Sequence, residues 1–171
     1  MSQPNAFADL IRPPPSEILI FTLEDRRYGL STACVQELVR AVRLVPVPHP
    51  VDGIEGLIDL HGQIVPVIDL RRSLGLEAKA PHPTEHLIIV HTEARLVAIR
   101  ADRATEVRQI EPEMVQLQGA FDGAGIVRMP DGLVMLLDAK RLYPNQVDPI
   151  TSADGSKDQG HQAAISAREG Q

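Results

Sequence analysis

The sequence predicts an all-β fold: two small, similar five-stranded barrels stacked on each other, with short connecting helices and disordered tails at both ends. Three observations carry this expectation. Hydrophobic residues make up 43% of the 171-residue chain but aromatics only 3%, with no Trp, so the core is built from Val, Ile and Leu. Such side chains favour strands wherever apolar runs are short, and here the runs are short and bounded by turn residues. Third, the apolar pattern recurs at an offset of 69 residues.

Sliding the chain by 69 lays Ile18-Leu19-Ile20-Phe21 on Leu87-Ile88-Ile89-Val90, Tyr28 on Val97 and Leu30 on Ile99. It also lays Glu37-Leu38 on Glu106-Val107, Gly56-Leu57-Ile58 on Gly125-Ile126-Val127, and Val67-Ile68-Asp69 on Leu136-Leu137-Asp138. Only the stretch from Val42 to Glu55 matches poorly. Each half therefore reads alike. A strand (Ile18 to Leu23; Leu87 to His91) turns at Glu24-Asp25-Arg26 or Thr92-Glu93-Ala94 into a second strand (Arg27 to Leu30; Leu96 to Ile99). An irregular segment or single turn follows, ending in Glu-Leu-Val or Glu-Val-Arg. Two more strands meet at a tight turn: Gly56 to Leu60 with Ile64 to Ile68, and Gly125 to Met129 with Leu133 to Leu137. In the second half the turn is Pro130-Asp131-Gly132, where Pro fixes φ and Gly accepts a positive one. A short helix closes each half, Leu70 to Leu74 before Gly75 and Ala139 to Tyr143 before Pro144. Pro66 lies inside an apolar strand, which points to an edge strand or a bulge.

Residues 1–16, rich in Pro, read as a disordered arm, and residues 145–171, rich in Ser, Asp, Gly and Gln, as a disordered tail. The folded region is then 17–144, with subdomains at about 18–80 and 85–144. Units of this size are marginal alone, so they should pack together, leaving an apolar groove between the halves.

A net charge of −6 argues against nucleic acid as a partner. Fourteen of the seventeen basic residues are Arg, read as a solvated, salt-bridged surface or as protein contacts. The N-terminus has no signal-peptide pattern, no run is long enough to span a membrane, and Cys34 is the single cysteine, which together fit a cytoplasmic protein.

Candidate chemistry is sparse. There is no phosphate-binding Gly-x-x-x-x-Gly-Lys loop, no complete dinucleotide fingerprint and no Gly-x-Ser-x-Gly elbow. Cys34, between Ala33 and Val35, reads as a small buried hydrophobe. Asp69 and Asp138 each precede a short helix, where an N-cap is expected. His82, His86 and His91 could be taken for a metal cluster, but no acidic or Cys ligand completes it. No catalytic residue, cofactor or metal is assigned, and an enzyme is the least expected class.

Two stretches carry a more specific pattern. One is Tyr28-Gly29-Leu30 followed by Val35-Gln36-Glu37-Leu38-Val39; the other runs from Gly56-Leu57-Ile58-Asp59-Leu60-His61-Gly62 through Gln63-Ile64-Val65-Pro66-Val67-Ile68-Asp69-Leu70. Together they closely resemble the CheW-like family, the coupling proteins of bacterial chemotaxis, over about Ile18 to Leu142. The resemblance implies two stacked five-stranded SH3-like barrels. It also implies a non-enzymatic adaptor between the cytoplasmic tip of a methyl-accepting chemoreceptor and the regulatory domain of a CheA-type histidine kinase, recruited to receptor arrays. Carried over residue by residue, the implied receptor-binding segment is Val35, Glu37 and Leu38, and the adjoining turn is Asp59, Leu60, His61 and Gly62. The family pattern has Asn where this chain has Asp59 and Arg where it has His61, and that Arg would pair with Glu37. A neutral-range titrating histidine holds a carboxylate less firmly than an Arg fork, so the substitution bears on receptor coupling. Leu57 and Ile58 are expected to line the groove between barrels. The alternatives are a divergent scaffold in a motility or second-messenger pathway and, from another class, a metal or small-molecule sensor built on His82, His86 and His91.

Overall fold

The computed structural model describes residues 16–47, 51–116 and 125–143, the Arg141 side chain excepted. The expected arm before Ser16 and the tail lie outside the described residues. Eleven strands are formed: β1 (Glu17–Leu23), β2 (Arg26–Ser31), β3 (Val35–Arg40), β4 (Ile54–Leu60), β5 (Gln63–Ile68), β6 (His86–His91), β7 (Leu96–Ala101), β8 (Arg103–Gln109), β9 (Val115–Gln116), β10 (Gly125–Met129) and β11 (Gly132–Leu136). One short helix, α1 (Leu70–Ser73), and three 3-10 turns at Thr32–Cys34, Pro112–Met114 and Ala139–Arg141 complete the described elements. Both expected caps form: the Asp69 carboxylate accepts from the Arg72 amide at 3.0 Å and Asp138 from the Lys140 amide at 3.1 Å.

Of the segments expected to be irregular or a single turn, the first holds the turn Thr32–Cys34 followed by strand β3, and the second is strand β8. Along β3, Val35, Glu37 and Val39 are half-buried while Gln36, Leu38 and Arg40 face out, the period of two that a strand requires, and β8 alternates likewise.

The strands form two sheets, one ordered β8-β1-β2-β11-β10-β9 and the other β3-β6-β7-β5-β4. The all-β expectation holds, with six strands in one sheet because of the two-residue β9. The division into self-contained barrels at 18–80 and 85–144 does not describe these sheets. Each half contributes its first hairpin (β1–β2; β6–β7) to one sheet and its remaining strands to the other. The chain changes sheet at the turn Thr32–Cys34 and, in the second half, at Asp102. Pro66 lies on an inner strand and not at an edge, and the β4–β5 ladder carries a register shift between Ile54 and Gly56. Leu57, opposite Pro66, directs its backbone bonds to Val45, so Pro66 N points toward β7, whose ladder with β5 begins only at Val67.

Exchange of hairpins explains why the halves cannot separate. A central core takes residues from both sheets, among them Leu19, Phe21, Tyr28 and Leu30 with Ile88, Val90, Val97 and Ile99. The opposite face of each hairpin closes a core within its own sheet. In the five-stranded sheet this holds Ile58, Leu60, Val65, Val67, Leu87 and Ile89. In the six-stranded sheet the residues at the 69-residue offset do the same: Val127, Met129, Val134, Leu136, Ile18 and Ile20. At Gly29, the counterpart of Ala98, an added Cβ would lie 3.0 Å from the side-chain ends of both Ile18 and Leu136, which would have to shift to admit it.

Candidate functional site

β4 and β5 meet in a two-residue turn, His61-Gly62, closed by the Leu60–Gln63 pair. Both residues have positive φ, 53° and 87°, the type I′ pattern matched to strand twist, and histidine is among the non-glycine residues that tolerate this region. The Asp59 carboxylate accepts from the Gly62 amide at 2.6 Å and fixes the turn. His61 is thereby held outward, its side chain 80% exposed, with Nε2 3.6 Å from the Glu37 carboxylate. Glu37 belongs to β3 and His61 adjoins β4, the two outermost strands of the five-stranded sheet. The sheet is curled enough to bring its edges together at this corner.

The structure thus unites Glu37, Asp59, His61 and Gly62. Leu38 is on the outer face of β3, 44% exposed. Val35 is half-buried against the central core, and Leu57 is half-buried with its backbone bonded to Val45. Ile58 is a correction: it is 2% exposed, on the same side of β4 as Leu60, and belongs to the core. It presents nothing to a partner.

The corresponding corner of the six-stranded sheet, which sequence reasoning missed, is ionic. Arg27 bonds Glu106 at 3.3 Å and Asp131 at 3.0 Å, and Arg108 bonds Glu106 at 3.0 Å. Arg27, chiefly, holds the Asp131 carboxyl below its ordinary range. The signal available was that Arg27 replaces the repeat's apolar Leu96.

A second feature corrects the expectation of a solvated arginine surface: Arg71 and Arg100 are buried. Arg100 bonds Glu85 at 2.9 Å, Glu55 at 2.7 and 2.8 Å, and the Lys79 carbonyl at 2.7 Å. Lys79 reaches Asp102 at 2.6 Å, and Asp102 accepts from Arg71 at 2.6 Å. Burial opposes ionisation of Asp102, but Lys79, the Glu24 amide and Arg71 outweigh it and hold the carboxyl at about 2. The network pins the 75–85 connection to the point where the second half changes sheet.

Cys34 donates to the Ser31 carbonyl at 2.9 Å, and burial pushes its thiol pKa up. His86 and His91 occupy opposite ends of β6, about 17 Å apart at strand rise, and among the described residues no group of three or more His, Cys, Asp or Glu is placed to hold a metal. No described helix is long and apolar enough to cross a membrane.

Two curled sheets sharing a core define a small all-β module. A family model for the CheW-like domain matches residues 17–147, and the chain belongs to that family, whose members are scaffolds of chemotaxis signalling. It is 29% identical to the chemotaxis protein CheW of Bacillus subtilis, over 76% of this chain and 88% of that one. It is 27% identical to that of Treponema pallidum, over 76% and 83%. Among solved structures, the scaffolding protein TtCheW from Thermoanaerobacter tengcongensis matches with a TM-score of 0.70 at 26% identity, covering 79% of this chain and 95% of that one.

Proposed function

We propose that this chain is a non-catalytic adaptor that joins the cytoplasmic tip of a methyl-accepting chemoreceptor to the regulatory domain of a CheA-type histidine kinase. It works in the cytoplasm and is recruited to membrane-associated receptor arrays. The observation that carries the reading is a duplicated exposed apolar pair. Leu38 and Ile64 are 44% and 47% exposed, and their counterparts at the 69-residue offset, Val107 and Leu133, are 53% and 54% exposed. An adaptor needs two faces, and a duplicated fold supplies the same apolar positions twice.

In this reading Glu37, Leu38 and His61 form one partner face, with Val35, Leu57, Asp59 and Gly62 shaping it. Glu37 is only loosely neutralised within the chain, since an exposed histidine at 3.6 Å is a weak partner. A partner cation can therefore claim it. Affinity capture from native lysate tests the assignment: a histidine kinase and a methyl-accepting receptor are expected together in the eluate. Glu37→Arg should weaken capture by about tenfold or more while leaving folding intact. Undiminished capture by the folded variant removes Glu37 from the face.

A further inference from the structure

Where β3 meets the β4–β5 turn, the group set against Glu37 is a histidine. His61 Nε2 lies 3.6 Å from the Glu37 carboxylate, the two side chains being 80% and 31% exposed. The turn holds His61 in place from below, through its φ of 53° and the bond of 2.6 Å from the Gly62 amide to Asp59. The corresponding corner of the six-stranded sheet is built differently: Glu106 is held there by Arg27 at 3.3 Å and by Arg108 at 3.0 Å. Guanidinium groups keep their charge at every physiological pH, whereas histidine is the side chain whose ordinary titration falls between about pH 5 and 8. Of the two corners, the first sets a titrating cation against its glutamate.

The surrounding strands bring other charged groups near, each placed differently. On β3, Arg40 points outward with Gln36 and Leu38, on the opposite side of the strand from Glu37. On β4, Asp59 is committed to the turn, and Glu55, at the far end, to Arg100 at 2.7 and 2.8 Å. β5 carries no charged residue. On β6, Ile89 is the partner of Glu37, and His91, two residues on, is exposed on the same side. His91 is therefore the second titratable imidazole to be distinguished from His61.

We infer that His61 makes partner binding at this corner pH-dependent: when protonated it holds Glu37 against the cation a partner brings, and when neutral it leaves Glu37 to that cation. This rests on the adaptor reading, in which a cationic group of the receptor or kinase meets Glu37. The sign follows from which group changes. Ordinary carboxylates are ionised throughout the neutral range, so the change there is the histidine's. As pH falls, the imidazolium competes for Glu37 and repels the incoming cation, and both effects weaken binding. By linkage, binding of the partner in turn disfavours the His61 proton by the same factor. The contact is exposed, so its weight is that of a surface ion pair, about two- to fivefold in affinity.

Two measurements test this. In the isolated chain, the His61 ring titration followed by NMR should show a proton affinity about two- to fivefold higher in the wild type than in Glu37→Gln. An unchanged titration overturns the inference without touching the adaptor reading. The second measurement is recovery of a histidine kinase and a methyl-accepting receptor from native lysate between about pH 6 and 8. It is compared with His61→Asn, a neutral residue that also accepts a positive φ. Wild-type recovery relative to His61→Asn should rise about two- to fivefold from the acid to the basic end. His61→Arg should lack the rise and His91→Gln should keep it. A wild type that parallels His61→Asn, or that captures better as pH falls, overturns the inference and leaves the adaptor standing. So does a rise abolished by His91→Gln and kept by His61→Asn. If no kinase or receptor is recovered at any pH, the adaptor reading falls and this inference with it.

Discussion

The corner at Glu37 and the corner at Glu106 are the same piece of backbone built twice, and they differ in how their acids are neutralised. At the first, His61 stands 3.6 Å from Glu37 and is 80% exposed. At the second, Arg27 is only 21% exposed and holds both Glu106 and Asp131, with Arg108 joining from the same strand as Glu106. The cores beneath them share six repeat-equivalent positions, from Ile58 and Val127 to Ile89 and Ile20. What separates the corners is decoration: a repeat constrains the buried pattern, because every core side chain has neighbours to fit, and leaves the surface free to diverge. One corner satisfies its own charges with arginines, and the other holds its carboxylate only loosely, through an exposed histidine.

The largest expected effect checks that the shared foundation is equal. Ile58 and Val127 are repeat-equivalent and buried in their respective sheets. Ile58→Ala should cost about 2–5 kcal/mol and Val127→Ala somewhat less, in proportion to the methyl groups removed. Urea unfolding reads both. If Ile58→Ala leaves stability intact but weakens partner capture, Ile58 is a contact residue after all and the corners differ below the surface too.

Acid separates both corners from the buried network. The Asp102 carboxyl is held at about 2, below its unfolded value near 3.8. A depressed folded-state value means stability that is fully present above the unfolded value and lost as pH falls from about 4 toward 2. The loss amounts to ~2 kcal/mol. Denaturant titrations across that window should show it in the wild type and largely lose it in Asp102→Asn. A pH dependence surviving in Asp102→Asn would place the responsible carboxylate elsewhere.

Much of this architecture is legible in the chain. The 69-residue repeat, the strands of each hairpin and the Asp69 and Asp138 caps follow from apolar spacing and turn chemistry. The exchange of hairpins between sheets is not legible, since periodicity reports which face of a strand is buried and not against which other strand. The His61–Glu37 contact follows from the family pattern, because the two residues are brought together only by the curling of a sheet. The Arg71–Asp102–Lys79 and Arg100–Glu85 network escapes sequence reading for a related reason. Arginine in a polar stretch looks solvated until the fold buries it against carboxylates remote in sequence.

Arg27→Ala converts the second corner into something closer to the first. Loss of two ion pairs and of the partly buried stem should cost about 1 kcal/mol. The sharper reading is the Asp131 carboxyl, now held below its ordinary range chiefly by Arg27. Its folded-state contribution is present above the ordinary carboxylate range and disappears as pH falls through the depressed value. In Arg27→Ala its titration, followed by carboxyl carbon chemical shift, should move up toward the ordinary range. No movement would mean that Arg108 alone sets it.

The reverse conversion is the smallest effect and the most informative about function. His61→Arg gives the first corner a permanent charge with two donor edges in reach of Glu37. The site is exposed, and the turn keeps its positive φ, so the gain in stability should be only a few tenths of a kcal/mol. Binding separates two roles for the same contact. If Glu37 meets a partner cation directly, the arginine competes with that cation and capture falls. If the corner instead works as a prepositioned pair, with His61 orienting Glu37 for the partner, the tighter pair raises capture. Charge availability, the property that distinguishes this corner from its repeat-related twin, predicts the first outcome.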